Sequence, residues 1–302
     1  MAMLGLSKMG GLAAATALLG SAGYAAVASV PAVASGAHVC SGSVSAPGVL
    51  AGSFDNVVVS GACFVNSGPA TVRGNLTVLN GSALIAAFAL NDQTGRGSSR
   101  LTVDGNLQVD AGATLLLGCL PTSFACIDDP SQSSPTLSSH DKIEGNLDTD
   151  APLGVVVHNT WVGGDVSENG GGGGFNCTPT GVFAVFGSPV YSAFEDSTVK
   201  GNLHIENVTS CWMGIARVRL AGSFWLLNNQ LADTDAIEIV ENHIEGNLTC
   251  RDNSMAWDSA ENPVTGFYPR IPQPNHVEGM RSGQCVLSSP TTKHGKPGPG
   301  KF

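Results

Sequence analysis

Val103-Asp104-Gly105-Asn106-Leu107 is the stretch that decides the fold, because it recurs. The same phrase stands at Val72-Arg73-Gly74-Asn75-Leu76, Ile143-Glu144-Gly145-Asn146-Leu147, Val199-Lys200-Gly201-Asn202-Leu203 and Ile244-Glu245-Gly246-Asn247-Leu248. A looser copy reads Val162-Gly163-Gly164-Asp165-Val166. Each copy is a β-branched residue, any residue, Gly, Asn or Asp, then Leu or Val. Downstream of the first two copies, Val78, Gly81 and Leu84 match Val109, Gly112 and Leu115 at one offset of 31. Self-similarity on this scale means stacked units that bury apolar residues against their neighbours. Short apolar strands separated by Gly and Asn turns describe a coil that climbs along an axis. Strands of one coil then pair in parallel with those above and below, and the Leu or Val of each phrase points inward. Gly and Asn both tolerate positive φ, which sharp corners favour. Asn75, Asn106, Asn146, Asn202 and Asn247, stacked at one corner, are expected to form a side-chain hydrogen-bond ladder. The rival reading is a row of ligand-binding amides.

The copies lie 31, 40, 19, 37 and 45 residues apart, so the excess must leave the coil as loops. Candidate loops are 91–99, 119–139 with three prolines, 169–174 with five consecutive glycines, and 253–277 with four prolines. The glycine run reads as mobile. A second phrase, Leu-Ala-Gly-Ser-Phe, occurs at 50–54 and 220–224. Asn75, Asn207 and Asn247 also head glycosylation sequons, read here as by-products of the repeat.

Composition agrees with a turn-rich β protein. Of 302 residues, 39 are Gly, 13% are charged and 42% are hydrophobic, enough for a sizeable core and too apolar for general disorder. A net charge of −10, with 14 scattered basic residues, excludes a nucleic-acid partner.

Residues 1–34 read as an export signal. Lys8 supplies the positive start, residues 10–22 the apolar run, and Ala26-Val27-Ala28 or Ala32-Val33-Ala34 the cleavage site. No transmembrane span is expected in the mature chain, since no later segment is long and apolar enough. The eight cysteines, Cys40, Cys63, Cys119, Cys126, Cys177, Cys211, Cys250 and Cys285, suit disulfides in an oxidising compartment. A stacked repeat keeps sequence neighbours close, so pairing in chain order is expected: 40 with 63, 119 with 126, 177 with 211, and 250 with 285.

These features resemble a class of uncharacterised secreted actinobacterial β-helix proteins. That class likewise repeats Gly-Asn-Leu units and ends in Gly-Asn-Leu-x-Cys followed by Gly-Gln-Cys. The matching residues are Gly246-Asn247-Leu248-Thr249-Cys250, Asn253 and Gly283-Gln284-Cys285. The resemblance implies export and a right-handed parallel β-helix, and supplies no activity. A second similarity is to bactofilins, polymer-forming β-helices that are typically cytoplasmic and lack a disulfide framework.

The chain therefore reads as a signal peptide at 1–34, one right-handed parallel β-helix of six to eight coils at 35–288, and a disordered tail at 289–302. The Cys250–Cys285 bond is expected to draw the Pro-rich insertion over the open end as a cap.

Candidate chemistry is sparse. The acidic run Asp233, Asp235, Glu238 and Glu241 is the densest carboxylate group. Read as one strand, it places Asp233, Asp235 and Glu241 on a shared face as metal candidates, with Ca²⁺ the ion in view. Asp128-Asp129 reads as a solvated turn. Ser139-His140-Asp141 has the residue types of a catalytic triad, but adjacency cannot set relay geometry. Trp161, Trp212, Trp225 and Trp257 could form a sugar-stacking platform if two faced outward together. No catalytic motif and no cofactor site emerges. The favoured function is an exported, non-catalytic, envelope-associated scaffold or binding surface, with envelope polysaccharide or a surface protein as partner. The alternative is a carbohydrate-active β-helix enzyme of the polysaccharide lyase or glycoside hydrolase type.

Overall fold

The computed structural model describes residues 36–233, 237–254, 256–257 (backbone only) and 275–285. The expected signal, the tail, Asp235 and most of the Pro-rich insertion lie outside the described residues. The fold is a parallel β-helix. Each coil runs through three short strands, which stack into sheet A of ten strands and sheets B and C of nine each. One coil shows the pattern. Leu101–Val103 lies in sheet C, Asp104-Gly105-Asn106 turns the corner, Leu107–Val109 lies in sheet A and Thr114–Leu117 in sheet B. The chain then re-enters sheet C at Asp141–Ile143.

Register follows the repeat. Leu76, Leu107, Leu147, Val166, Leu203, Phe224 and Leu248 pair in series along sheet A, each pointing into the lumen and no more than 1% exposed. Burial of this stack is the main favourable term, since a single coil cannot cover its own apolar face. Among the described residues the chain closes nine turns before a tenth sheet A strand, more than the expected six to eight. The uncounted corners carry Asn56, Ser223 and Met280 at the position of the repeated Asn.

The corner between sheets C and A works differently from the expectation. Its glycines do not adopt positive φ. They are required by close approach: a Cβ on Gly105 would stand 2.5 Å from Asn75 Oδ1 and 2.6 Å from the Gly74 carbonyl oxygen. Gly105 N–H donates to that carbonyl at 3.0 Å, and Gly145 N–H in turn donates to Gly105 at 3.0 Å. Beside this backbone ladder runs a second one, made of side chains. Asn75 Oδ1 accepts the N–H of Asn106 at 2.9 Å, and Asn106 Oδ1 accepts that of Asn146 at 2.9 Å. The series continues through Asp165, Asn202, Ser223 and Asn247 to Met280. The rungs run from side chain to main chain, so each Asn satisfies a backbone donor that the turn would otherwise leave open. Positive φ falls instead at the ends of sheet B strands, on Asn159, Asp196, Arg217 and Glu241, and at Asn207 and Asn228 after sheet A. The two Leu-Ala-Gly-Ser-Phe phrases are not equivalent: residues 220–224 contain a repeat corner, whereas Gly52–Phe54 is a strand of sheet C.

The glycine run is tied to other segments by backbone hydrogen bonds, where composition predicts a mobile loop. Gly170 to Gly174 all have φ between 72° and 94°. Gly170, Gly172 and Gly174 donate to the carbonyls of Glu206, Pro152 and Thr209 at 2.8–2.9 Å, and Gly171 accepts from Thr209. Only glycine fits, since a Cβ on Gly172 would meet the Thr209 carbonyl oxygen at 2.5 Å.

The four disulfides join cysteines in chain order: Cys40–Cys63, Cys119–Cys126, Cys177–Cys211 and Cys250–Cys285. They divide by task. Cys40–Cys63 and Cys250–Cys285 sit within the lumen core at the first and last coils. Cys285 lies two residues after Arg281–Gly283, the final strand of sheet A, so the bond fastens that last strand onto the stack. Cys119–Cys126 and Cys211 lie in a second core on the outer face of sheet B. There the insertion after Thr114–Leu117 and the one carrying the short helix Gly181–Val185 cover Leu116, Val156, Ala193 and Trp212. Among the described residues, no helix is long and apolar enough to cross a membrane.

Candidate functional site

The acidic run is not one strand. Asp233 follows the strand Gln230–Leu231, and Glu241 occupies the positive-φ corner after Ile237–Val240. Within Ile237–Val240 the isoleucines point into the lumen core, and Glu238 is buried on the outer side. Asp233 lies near the sulfurs of Cys177 and Cys211, but these are bonded to each other and offer no thiolate.

Asp128 and Asp129 are struts in a loop, rather than a solvated turn. Asp128 accepts the N–H groups of Ala89 and Leu90 at 2.6–3.1 Å. Asp129 is buried and accepts those of Leu137, Ser131 and Thr136 at 2.7–2.9 Å. These bonds, Leu137 foremost, hold its carboxyl below the ordinary range. Ser139, His140 and Asp141 diverge. Ser139 Oγ donates to the Ser99 carbonyl at 2.7 Å, His140 is exposed, and buried Asp141 accepts from Leu101 and Gly118 at 2.7 and 2.9 Å. Burial raises the Asp141 pKa to about 7.

Sequence reasoning missed the most charged cluster inside the molecule. His158, Glu195 and Arg217 come from the ends of successive sheet B strands, with Asp196 at the neighbouring corner. Arg217 donates to Asp196 through Nε at 2.5 Å and Nη2 at 2.8 Å, and through Nη2 to Glu195 at 2.9 Å. Ser123 Oγ donates to Asp196 at 2.6 Å, and Phe124 stacks on His158 at 4.8 Å. The insertion 119–139 thus lids the cluster. Burial lowers His158 to about 3 and raises Glu195 to about 8. Asp196 lies below the ordinary carboxylate range because the Arg217 and Ser123 hydrogen bonds outweigh its own burial. At neutral pH this leaves one carboxylate against one guanidinium, with His158 and Glu195 neutral. Strongly shifted acids and bases are a signature of active sites, yet His158 and Glu195 are 2% and 1% exposed. The legible clue was polar residues closing apolar runs, as in Val155-Val156-Val157-His158.

A second buried acid lies in the lumen. Glu168 occupies an inward position of Val166–Asn169, accepts the Ser192 hydroxyl at 2.6 Å, and is pushed by burial to about 8. Among the described residues, its other oxygen and the neighbouring Thr149 hydroxyl have no hydrogen-bond partner.

The outer faces of sheets A and C differ from that of sheet B. Their outward residues are half-buried or exposed: Thr77, Gln108, Ser167 and Trp225 on sheet A, and Thr102, Lys142, Trp161 and Arg219 on sheet C. Trp161 carries Lys142 Nζ 4.9 Å from its ring centroid, and Trp225 meets His204 edge-on at 6.0 Å. The two tryptophans flank the Gly-Asn corner on different sheets. Trp212 is buried beneath the insertions, and the side chain of Trp257 lies outside the described residues. This long polar surface with two half-buried indoles is the candidate functional site. Comparison with protein-family models, curated proteins and solved structures returned no match.

Proposed function

We propose that the protein is an exported, non-catalytic β-helix that presents the faces of sheets A and C as a binding surface for a neutral envelope polysaccharide. The observation that carries this reading is the contrast between faces. The strongly perturbed acids and bases are buried, while Trp161 and Trp225 are half-buried among Thr, Ser and Gln side chains interspersed with Lys142, Asp148, His204 and Arg219. Indole faces stack on sugar rings, and the polar rows supply hydrogen bonds along a linear chain. The net charge of −10 disfavours an anionic polymer. Four disulfides support an extracytoplasmic location, where such bonds form and persist. The test is co-sedimentation of the secreted protein with insoluble envelope polysaccharide, beside a Trp161→Ala/Trp225→Ala variant. Saturable binding lost in the variant, with its melting unchanged, supports the reading. Absence of binding, or equal binding by the variant, contradicts it.

A further inference from the structure

The last two coils of sheet C repeat a four-residue phrase that the Gly-Asn-Leu pattern conceals. His243-Ile244-Glu245-Gly246 is followed 33 residues later by His276-Val277-Glu278-Gly279. The register pairs His243 with His276 and Ile244 with Val277, so the two phrases are stacked. The isoleucine is buried and the valine packs against the lumen core; both histidines project outward. The imidazoles lie face to face, with centroids 4.8 Å apart and planes 21° from parallel. Glu278 Oε1 is 3.4 Å from His243 Nε2, and one ligand atom from each of His243, His276 and Glu278 fits within 4.8 Å of the others. Glu245 holds the corresponding place one coil earlier and is exposed. Lys142-Ile143-Glu144-Gly145 shows that these two columns meet: Lys142 Nζ stands 2.5 Å from Glu144 Oε1.

We propose that His243, His276 and Glu278 form a surface site for a borderline divalent transition metal of the zinc type, with Glu245 as a neighbouring carboxylate. Two imidazoles and a carboxylate are a donor set that zinc accepts, and three protein ligands leave one position open to solvent. Two other groups with metal-binding residue types fail chemically. The sulfurs of Cys177 and Cys211 are spent in a disulfide, and His158, Glu195 and Asp196 already surround the Arg217 guanidinium. At the His243 site all three ligands reach solvent, and a tetrahedral zinc would draw their atoms from within 4.8 Å to separations of roughly 3.3 Å.

Zinc titration of the folded, disulfide-intact protein by calorimetry tests this. One equivalent should bind saturably. His243→Ala, His276→Ala and Glu278→Gln should each weaken binding by about tenfold or more, the low end for disturbing groups that merely orient a ligand. A footprint on the unaltered protein covers the case of a variant that fails to fold: zinc should protect His243 and His276 from acylation by diethyl pyrocarbonate. Absence of saturable binding, wild-type affinity in the folded variants, or modification of both rings indifferent to zinc would each overturn the site.

Discussion

Asn106 Oδ1 accepts the backbone N–H of Asn146 at 2.9 Å across 40 residues of chain. The intervening insertion does not disturb it, because the corner is held independently of what each coil emits elsewhere. Gly and Asn have separate duties in that corner. Asn106→Ala removes one partly exposed hydrogen bond and should cost about 1 kcal/mol. Gly105→Ala forces a Cβ to 2.5 Å from Asn75 Oδ1 and 2.6 Å from backbone, and should cost clearly more. Urea denaturation of both variants checks the order; equal losses would contradict the close-approach account.

The buried Glu168 predicts a pH dependence. Its folded pKa of about 8 exceeds its ordinary 4.5, so between those values the folded state holds a proton that the unfolded state has released. The contribution is present in full below about pH 4.5 and is lost as pH rises to about 8. Glu168→Gln should flatten that part of the stability curve and be at least as stable as the parent above pH 8. Parallel curves for the two proteins would show that Glu168 is not the group responsible. Asp141 and Glu195 act in the same direction and remain in both proteins.

Arg217 holds the Asp196 carboxylate and the Glu195 side chain under the insertion 119–139. Arg217→Ala leaves Asp196 without its cation and Glu195 without its hydrogen-bond donor, and should destabilise by about 3–5 kcal/mol, with faster proteolysis of that insertion. A melting temperature like that of the parent would mean solvent already reaches the cluster.

The terminal disulfides should matter in a way the loop disulfides do not. Cys250 and Cys285 are 35 residues apart, for which chain entropy gives roughly 4 kcal/mol, against roughly 2 kcal/mol for the 7 residues between Cys119 and Cys126. Replacing Cys250 and Cys285 by Ser should also loosen the last coil and expose strand edges to a second molecule. Light scattering should then show end-to-end association, absent from the Cys119/Cys126 variant. Two equally monomeric variants would leave the terminal bond without a capping role.

The sequence makes legible whatever a single coil specifies. The phrase around Gly105-Asn106-Leu107 locates the corner, the inward Leu and the sheet A register, because those contacts repeat from coil to coil. Coil number is hidden where chemistry substitutes: Ser223 Oγ replaces an amide oxygen, and Met280 needs only its N–H. Gly170–Gly174 reads as mobile because composition cannot reveal that Gly170, Gly172 and Gly174 donate to carbonyls elsewhere in the fold. The His158–Arg217 cluster shows in the sequence only as polar residues closing apolar runs, because its members lie far apart in the chain and are gathered by stacking. The His-x-Glu-Gly doublet was written in the sequence, but the uneven period separated its halves.

On the proposed reading, the exposed faces of sheets A and C bind polysaccharide without cleaving it. The most direct measurement is to incubate the purified mature protein with neutral envelope polysaccharide and follow bound protein and polymer chain length in the same sample. Binding should be saturable and depend on Trp161 and Trp225, with chain length and reducing ends constant over time. Progressive shortening of the polymer, or release of unsaturated or reducing products, would contradict it.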